Sequence, residues 1–167
     1  MKDEKIILEE IRNIYEIVRN QMFFAESKNA TVLVFNAAAL AFFLQNNFNK
    51  GFVSAIAIIA ASAACILGVL SFHPLKYDTK HFAKIDKDNS SLIYFRNIAS
   101  YKTDEYLRAL YKNFSVDYNP NNSCKMVYDY AEEIIVISNI TIIKNDIFSI
   151  SMLSTVVSIV CMIITIL

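Results

Sequence analysis

Two arginines and several tyrosines share a charged stretch in the middle of the sequence, "YFRNIASYKTDEYLRALYK", and could together bind a small anionic ligand. Aromatic rings stack on planar groups, and a guanidinium binds phosphate through paired hydrogen bonds. The candidates for these contacts are Tyr94, Arg96, Tyr101 and Arg108. An ordinary amphipathic helix with tyrosines at the edge of a core gives the same pattern, so both interpretations stay open.

A second group of polar side chains lies beside long apolar runs. Glu26 and Lys28 precede the first run, Asn36 lies inside it, and Lys144 precedes the last. Residues two apart on a helix do not face each other, so Glu26 and Lys28 need separate partners. Asn36 is predicted to hydrogen-bond to a neighbouring helix, with pore lining as the alternative. The charged residues could anchor a helix at a membrane surface or form a gate.

Motifs for catalysis or metal binding are missing from the sequence. Two glycines cannot build a phosphate loop, and His73 and His81 are the only histidines. Cys65, Cys124 and Cys161 have neither metal-site nor redox spacing, and we expect them to be buried as small apolar residues. The sequence therefore predicts a protein that is not an enzyme and has no catalytic residue, metal or cofactor.

The distribution of charge predicts the fold class. The 167-residue chain is 55% hydrophobic and 19% charged, whereas soluble domains are roughly 25% charged. No Asp, Glu, Lys or Arg occurs between positions 28 and 50, between 50 and 76, or after 146. Each gap matches the ~20 residues that a helix needs to cross a bilayer. We predict an all-α membrane protein with three transmembrane helices and a helical cytoplasmic domain.

The same gaps define four predicted regions. They are an amphipathic cytoplasmic helix over 1–28, a transmembrane hairpin over 29–72, a helical cytoplasmic sensing region over 73–146 and a C-terminal transmembrane helix over 147–167. The hairpin spans are placed at about 29–47 and 52–72. The first is the least apolar and could instead lie at the interface. Most Lys and Arg precede the first span or lie in the 73–146 region, which predicts a cytoplasmic N-terminus.

Apolar spacing predicts the cytoplasmic helices. An apolar stripe for packing on another helix comprises Ile7, Ile11, Ile14 and Val18. Thr103 is predicted to cap a short helix, and Ser123 a long one that begins near Cys124. A second stripe, which comprises Val127, Ala131, Ile134, Ile137 or Ser138, and Thr141, predicts that the long helix continues past Lys144 into the last span.

The order of these features resembles the Pycsar membrane effectors of bacterial antiphage defence. Four segments carry the resemblance. They are "AESKNATVLVFNAAAL" at the first span, "SFHP" after the second, "LIYFRNIASYKTDEYLRAL", and "YDYAEEIIVISNITIIKNDIFSI" leading into the last span. No single segment is diagnostic; the ordered set, which covers nearly the whole chain, supports the resemblance.

The resemblance implies a function that the residues alone do not. A partner pyrimidine nucleotide cyclase makes cyclic CMP or cyclic UMP, which is the expected ligand. The effector then oligomerises in the lipid bilayer of the bacterial inner membrane and impairs it, which causes abortive infection. Nucleic acid is not an expected partner, and the zero formal net charge agrees with this. Alternatives are an effector activated by cyclic oligonucleotides and a non-signalling membrane adaptor.

Overall fold

The computed structural model describes residues 2–45, 51–73, 91–116, 118–120 and 124–166. This part of the chain contains five α-helices and no strand. The helices are α1 (Lys2–Gln45), α2 (Phe52–Ser71), α3 (Phe95–Ile98), α4 (Thr103–Asn113) and α5 (Lys125–Ile166). The all-α prediction is confirmed.

The chain forms two compact units. The first comprises Met1–Phe23 and Leu75–Ile142, and the second comprises Phe24–Pro74 and Ile143–Leu167. Helices α1 and α5 each belong to both units and show no break where one unit ends. The predicted continuation of the last helix past Lys144 is therefore confirmed.

The core of the first unit is built on the two stripes that the sequence predicted. Ile7, Ile11, Ile14 and Val18 of α1 are buried in one cluster with residues of α4 and α5. The stripe of α5 is buried as predicted and comprises Val127, Ala131, Ile134, Ile137, Ser138 and Thr141. Tyr106 is fully buried, its hydroxyl donates to the Leu92 carbonyl at 3.0 Å, and burial raises its pKa. Interlocking apolar side chains thus hold α4 in place.

The predicted cap of α4 was wrong by one residue. Thr103 is the first helical residue, and Lys102 occupies the N-cap position. The Glu105 carboxylate accepts a hydrogen bond from the Lys102 backbone N–H at 3.1 Å, which satisfies a donor at this helix end. Glu105 therefore supports the helix start without a hydroxyl at the cap. Ser123, the predicted cap of α5, lies outside the described residues.

The second unit packs parts of α1, α2 and α5 through small residues. The buried face of α2 repeats at alternating intervals of three and four residues, and comprises Ser54, Ala57, Ala61, Ala64, Gly68 and Ser71. Such a repeat forms a continuous seam along a neighbouring helix, and small side chains let the backbones approach closely. A Cβ added at Gly68 would lie 2.9 Å from Leu33 Cβ, so the α1–α2 crossing requires glycine.

The second unit exposes large apolar side chains and buries polar ones. Phe35, Ile59, Leu153 and other large apolar residues point outward, whereas Asn36 and several hydroxyls are buried. Lipid, rather than water, solvates a surface of this kind. Three helices of the described residues are long and apolar enough to cross a membrane, as the predicted fold class requires.

The predicted burial of all three cysteines was wrong. Cys65 and Cys161 are only partly buried, and Cys124 is exposed. Cys65 lies on α2 beside, and not within, the buried face of small residues, and Cys161 lies partly buried on α5.

Candidate functional site

A regular series of hydrogen bonds joins α5 to α2 in the second unit. Three side chains of α5, seven residues apart, donate to three backbone carbonyls of α2 at the same interval: Lys144 Nζ to Ser71 O (2.9 Å), Ser151 Oγ to Ala64 O (3.2 Å) and Ser158 Oγ to Ala57 O (3.0 Å). The residue number of the donor rises along α5 while that of the acceptor falls along α2, so the two helices are antiparallel. We call these three contacts the polar ladder.

The end of the ladder nearest the start of α5 contains a partly buried ion pair. Lys144 Nζ lies 2.8 Å from Glu26 Oε1, and the two side chains are 7% and 32% exposed. The same ammonium binds Ser71 O, the last carbonyl of α2, which has no partner within its own helix. The last turn of α2 contains no basic residue, so Lys144 supplies the cation that a helix C-terminus favours. Lys144 therefore ties α5 to both α1 and α2.

Lys28 has different partners from Glu26, as the sequence predicted. Its ammonium donates to Asn145 Oδ1 at 2.7 Å. It also lies 5.0 Å and 4.8 Å from the ring centroids of Phe24 and Phe148, within the range of cation–π attraction. Lys28 thus joins α1 to α5 beside the Lys144 contact.

Two buried asparagines of α1 extend the polar contacts along the bundle. Asn36 Nδ2 donates to Thr155 Oγ1 of α5 at 2.8 Å, so the predicted interhelical hydrogen bond is present. Asn29 Nδ2 donates to the Lys144 carbonyl at 3.0 Å, whereas its Oδ1 is buried with no hydrogen-bond partner in the described chain. Polar contacts therefore join the helices of the second unit, which we call the bundle, but the amide oxygen of Asn29 accepts no hydrogen bond from the described chain.

The four residues proposed for ligand binding lie in different surroundings in the first unit. Arg96 and Arg108 are exposed, and the Tyr94 ring packs on Phe95 at 4.8 Å. Tyr101 is only 5% exposed, and its ring meets Tyr106 edge-on.

Arg108 lines an open groove of about 430 Å³, whose other lining residues are Lys112, Ser115, Val116 and Tyr118. Of the four sequence candidates, the structure brings Arg108 alone to this groove.

The serines of the ladder were missed by reasoning from the sequence alone. Their signal is a run of polar residues at seven-residue spacing in an apolar segment, Lys144, Ser151 and Ser158. A matching signal is the spacing of Ala57, Ala64 and Ser71 in the preceding span. Serine and alanine are common in spans, so only the pairing of both repeats is informative.

Comparison with known families agrees with this architecture. The model of the Pycsar effector protein domain matches residues 10–167. The chain belongs to the Pycsar effector family. The match includes α2, α3, α4 and α5 and most of α1. A search of curated proteins and a search of solved structures found no match. This Pycsar effector is thus a membrane protein of antiphage defence, with three helices in its described residues that are long and apolar enough to span a bilayer.

Proposed function

We propose that this Pycsar effector is a ligand-gated, non-enzymatic protein that impairs the bacterial inner membrane during phage infection. The ligand is cyclic CMP or cyclic UMP, made by a partner cyclase, and the N-terminus lies in the cytoplasm. Activated copies assemble in the bilayer, and the infected cell stops growing. The observation that carries the proposal is the inverted polarity of the second unit, which exposes apolar residues and buries Lys144, Asn36 and the ladder serines.

The polar ladder and the Glu26–Lys144 pair hold the closed state in this proposal. Separating a pair that is mostly removed from solvent leaves each charge without its partner, which disfavours the separated state. Separation of α5 from α1 and α2 exposes Asn36, Ser151 and Ser158. Water then replaces the Thr155 hydroxyl as the partner of Asn36 and the α2 carbonyls as the partners of the two serines. Water that enters along this face makes the bilayer permeable.

Ligand binding in the first unit drives the change by binding the open state more tightly. Helices α1 and α5 each contribute to both units, so a displacement of either helix in the first unit continues into the second. Of the four sequence candidates, Arg108 supplies charge for the ligand in this proposal. Lys28 anchors α1 through Asn145 and the two phenylalanine rings.

Dye release from liposomes tests the proposal. Purified protein is inserted, insertion is checked by carbonate extraction, and cyclic CMP, cyclic UMP, cyclic AMP and a cyclic dinucleotide are added separately. We expect release with a cyclic pyrimidine mononucleotide and none with cyclic AMP. Release with the cyclic dinucleotide alone would support an effector activated by cyclic oligonucleotides. No release with any nucleotide would favour the adaptor, whose mark is a stable protein partner.

A further inference from the structure

The groove beside the end of α4 is distinguished by its charge. Arg108 and Lys112 lie one helical turn apart and are both exposed. The described residues that line the groove include no acid, and neither cation forms an ion pair with a residue of the described chain. Two positive charges side by side repel each other, and an anion between them removes that repulsion.

Two other grooves of the first unit have similar volumes but a different charge. One, of about 390 Å³, places Lys5 and Arg12 beside Glu9. Another, of about 360 Å³, places Arg12 beside Asp129 and Glu133. Glu9 offsets one of the two cations in the first of these grooves, and two carboxylates outnumber the single cation in the second. Each carboxylate also repels a phosphate. Size therefore does not single out the Arg108 groove, but the absence of acid from its described lining does.

The backbone at Ser115 gives an independent indication. Its φ is 56°, and no other non-glycine residue of the described chain has a positive φ. Ser115 N–H donates to the Lys112 carbonyl and Val116 N–H to the Tyr111 carbonyl, each at 3.1 Å. Helices that end in this way usually have glycine at the Ser115 position, because a Cβ strains the left-handed conformation. A side chain kept there despite the strain, and lining a groove, points to a function for its hydroxyl.

The remaining wall of the groove is held in place. The Tyr118 hydroxyl donates to Asp104 Oδ1 at 3.0 Å, and its ring packs edge-on against Tyr111 with centroids 5.2 Å apart. Tyr111 belongs to the buried core of the first unit. The groove thus combines two cations, a hydroxyl and a fixed aromatic ring, which are the groups that bind a phosphate joined to a small ring system.

We propose that Arg108, Lys112 and Ser115 bind the phosphodiester of a cyclic pyrimidine mononucleotide, and that its pyrimidine or ribose packs against Tyr118. The proposal rests on the proposed function and names its ligand site. Arg108 donates paired hydrogen bonds to the phosphate oxygens, Lys112 neutralises their charge, and the Ser115 hydroxyl donates a further bond. Of the sequence candidates, Arg108 is then a direct contact. Arg96, Tyr94 and Tyr101 lie outside the groove lining.

Calorimetric titration of the full chain in phosphatidylcholine nanodiscs tests the site, with cyclic CMP and cyclic UMP as probes. Arg108→Gln and Lys112→Gln are each expected to weaken binding at least about tenfold, the effect of losing a hydrogen bond to a charged group. Lys102→Gln is the matched control, because Lys102 is an exposed cation at the other end of α4 and outside the groove. It should leave the Kd within about twofold, so that net charge alone is not responsible.

Ser115→Gly separates a binding role from a structural one. Glycine relieves the backbone strain and removes the hydroxyl, so we expect a higher unfolding temperature together with weaker nucleotide binding. Wild-type Kd values in both Arg108→Gln and Lys112→Gln would overturn the groove while leaving the proposed function intact. Equal weakening by Lys102→Gln would also overturn it. Failure of the wild-type chain to bind either nucleotide would overturn both proposals.

Discussion

The Glu26–Lys144 pair leads to the prediction that the two ends of one contact have unequal effects on stability. Removing one partner of a buried ion pair costs about 3–5 kcal/mol when the remaining charge stays buried. In Glu26→Gln the ammonium of Lys144, 7% exposed, loses its charged partner and keeps only neutral acceptors, the Ser71 carbonyl and the new amide oxygen. Since the lost carboxylate is 32% exposed and partly screened, we reduce the expected cost to about 2 kcal/mol.

Lys144→Met leaves a different residue unpaired. The Glu26 carboxylate is one-third exposed and can turn towards water, so its cost is small. The variant also loses the cation at the C-terminus of α2, which is worth about 0.3–1 kcal/mol. We therefore expect Lys144→Met to destabilise the bundle by about 1 kcal/mol, less than Glu26→Gln. The double variant buries no unpaired charge and should be more stable than Glu26→Gln alone.

A double-mutant cycle measures this coupling. Reversible unfolding of the four proteins is followed by circular dichroism in mixed micelles of increasing denaturing-detergent fraction. We expect a coupling free energy of about 1–2 kcal/mol. Lys28→Met is a useful comparison, because Lys28 bonds Asn145 and not Glu26, and its effect should add to that of Glu26→Gln. Additivity of the Glu26 and Lys144 substitutions within about 0.5 kcal/mol would refute the reasoning.

Two further predictions concern packing and activation. Gly68→Ala should destabilise the bundle by about 1–3 kcal/mol in the same detergent assay, because the new Cβ meets Leu33 Cβ at 2.9 Å. Gly51→Ala has open space and should cost only a few tenths of a kcal/mol, because Gly51 is the N-cap of α2, where alanine is less favourable than glycine. Equal effects of the two substitutions would contradict the close crossing. Dye release plotted against nucleotide concentration should have a Hill coefficient near 2 or above, and a value of 1 would show that single copies act independently.

The sequence predicted the elements of the fold better than the contacts between them. Charge-free runs and the spacing of Ile7, Ile11, Ile14 and Val18 were sufficient for the spans and the first-unit core, because both depend on short-range patterns. The N-cap of α4 lies one residue before the predicted Thr103, at Lys102. Glu105, three positions after Lys102, accepts the hydrogen bond of a backbone N–H at the start of the helix, which is the role expected of the Thr103 side chain. Boundary residues depend on such local competition.

The partners of the polar residues could be predicted only in part. Helical spacing correctly separated Glu26 from Lys28, and the apolar surroundings of Asn36 correctly required a partner on another helix. The identity of each partner depends on the register of α5 against α1 and α2. The paired residues are far apart in the chain, and Glu26 and Lys144 are separated by more than a hundred residues. A single sequence contains no information on that register apart from the matched seven-residue repeats.

The size of the closing interactions bears on how many copies must act together. A ligand present at 100 times its Kd, and bound by the open state alone, favours that state by about 2.7 kcal/mol. Moving a population from 1:99 to 99:1 requires about 5.5 kcal/mol. The Glu26–Lys144 pair, the hydroxyl bonds of Ser151 and Ser158, and the Asn36–Thr155 bond together hold the bundle by a comparable few kcal/mol, at roughly 1 kcal/mol for each membrane hydrogen bond. From a population that is 99% closed, one ligand on one chain therefore opens only about half of the molecules at this concentration. Concerted opening of several copies makes the response to nucleotide steeper, because all copies of an assembly open together. Oligomerisation thus sharpens the switch in the proposed mechanism and also enlarges the lesion in the bilayer.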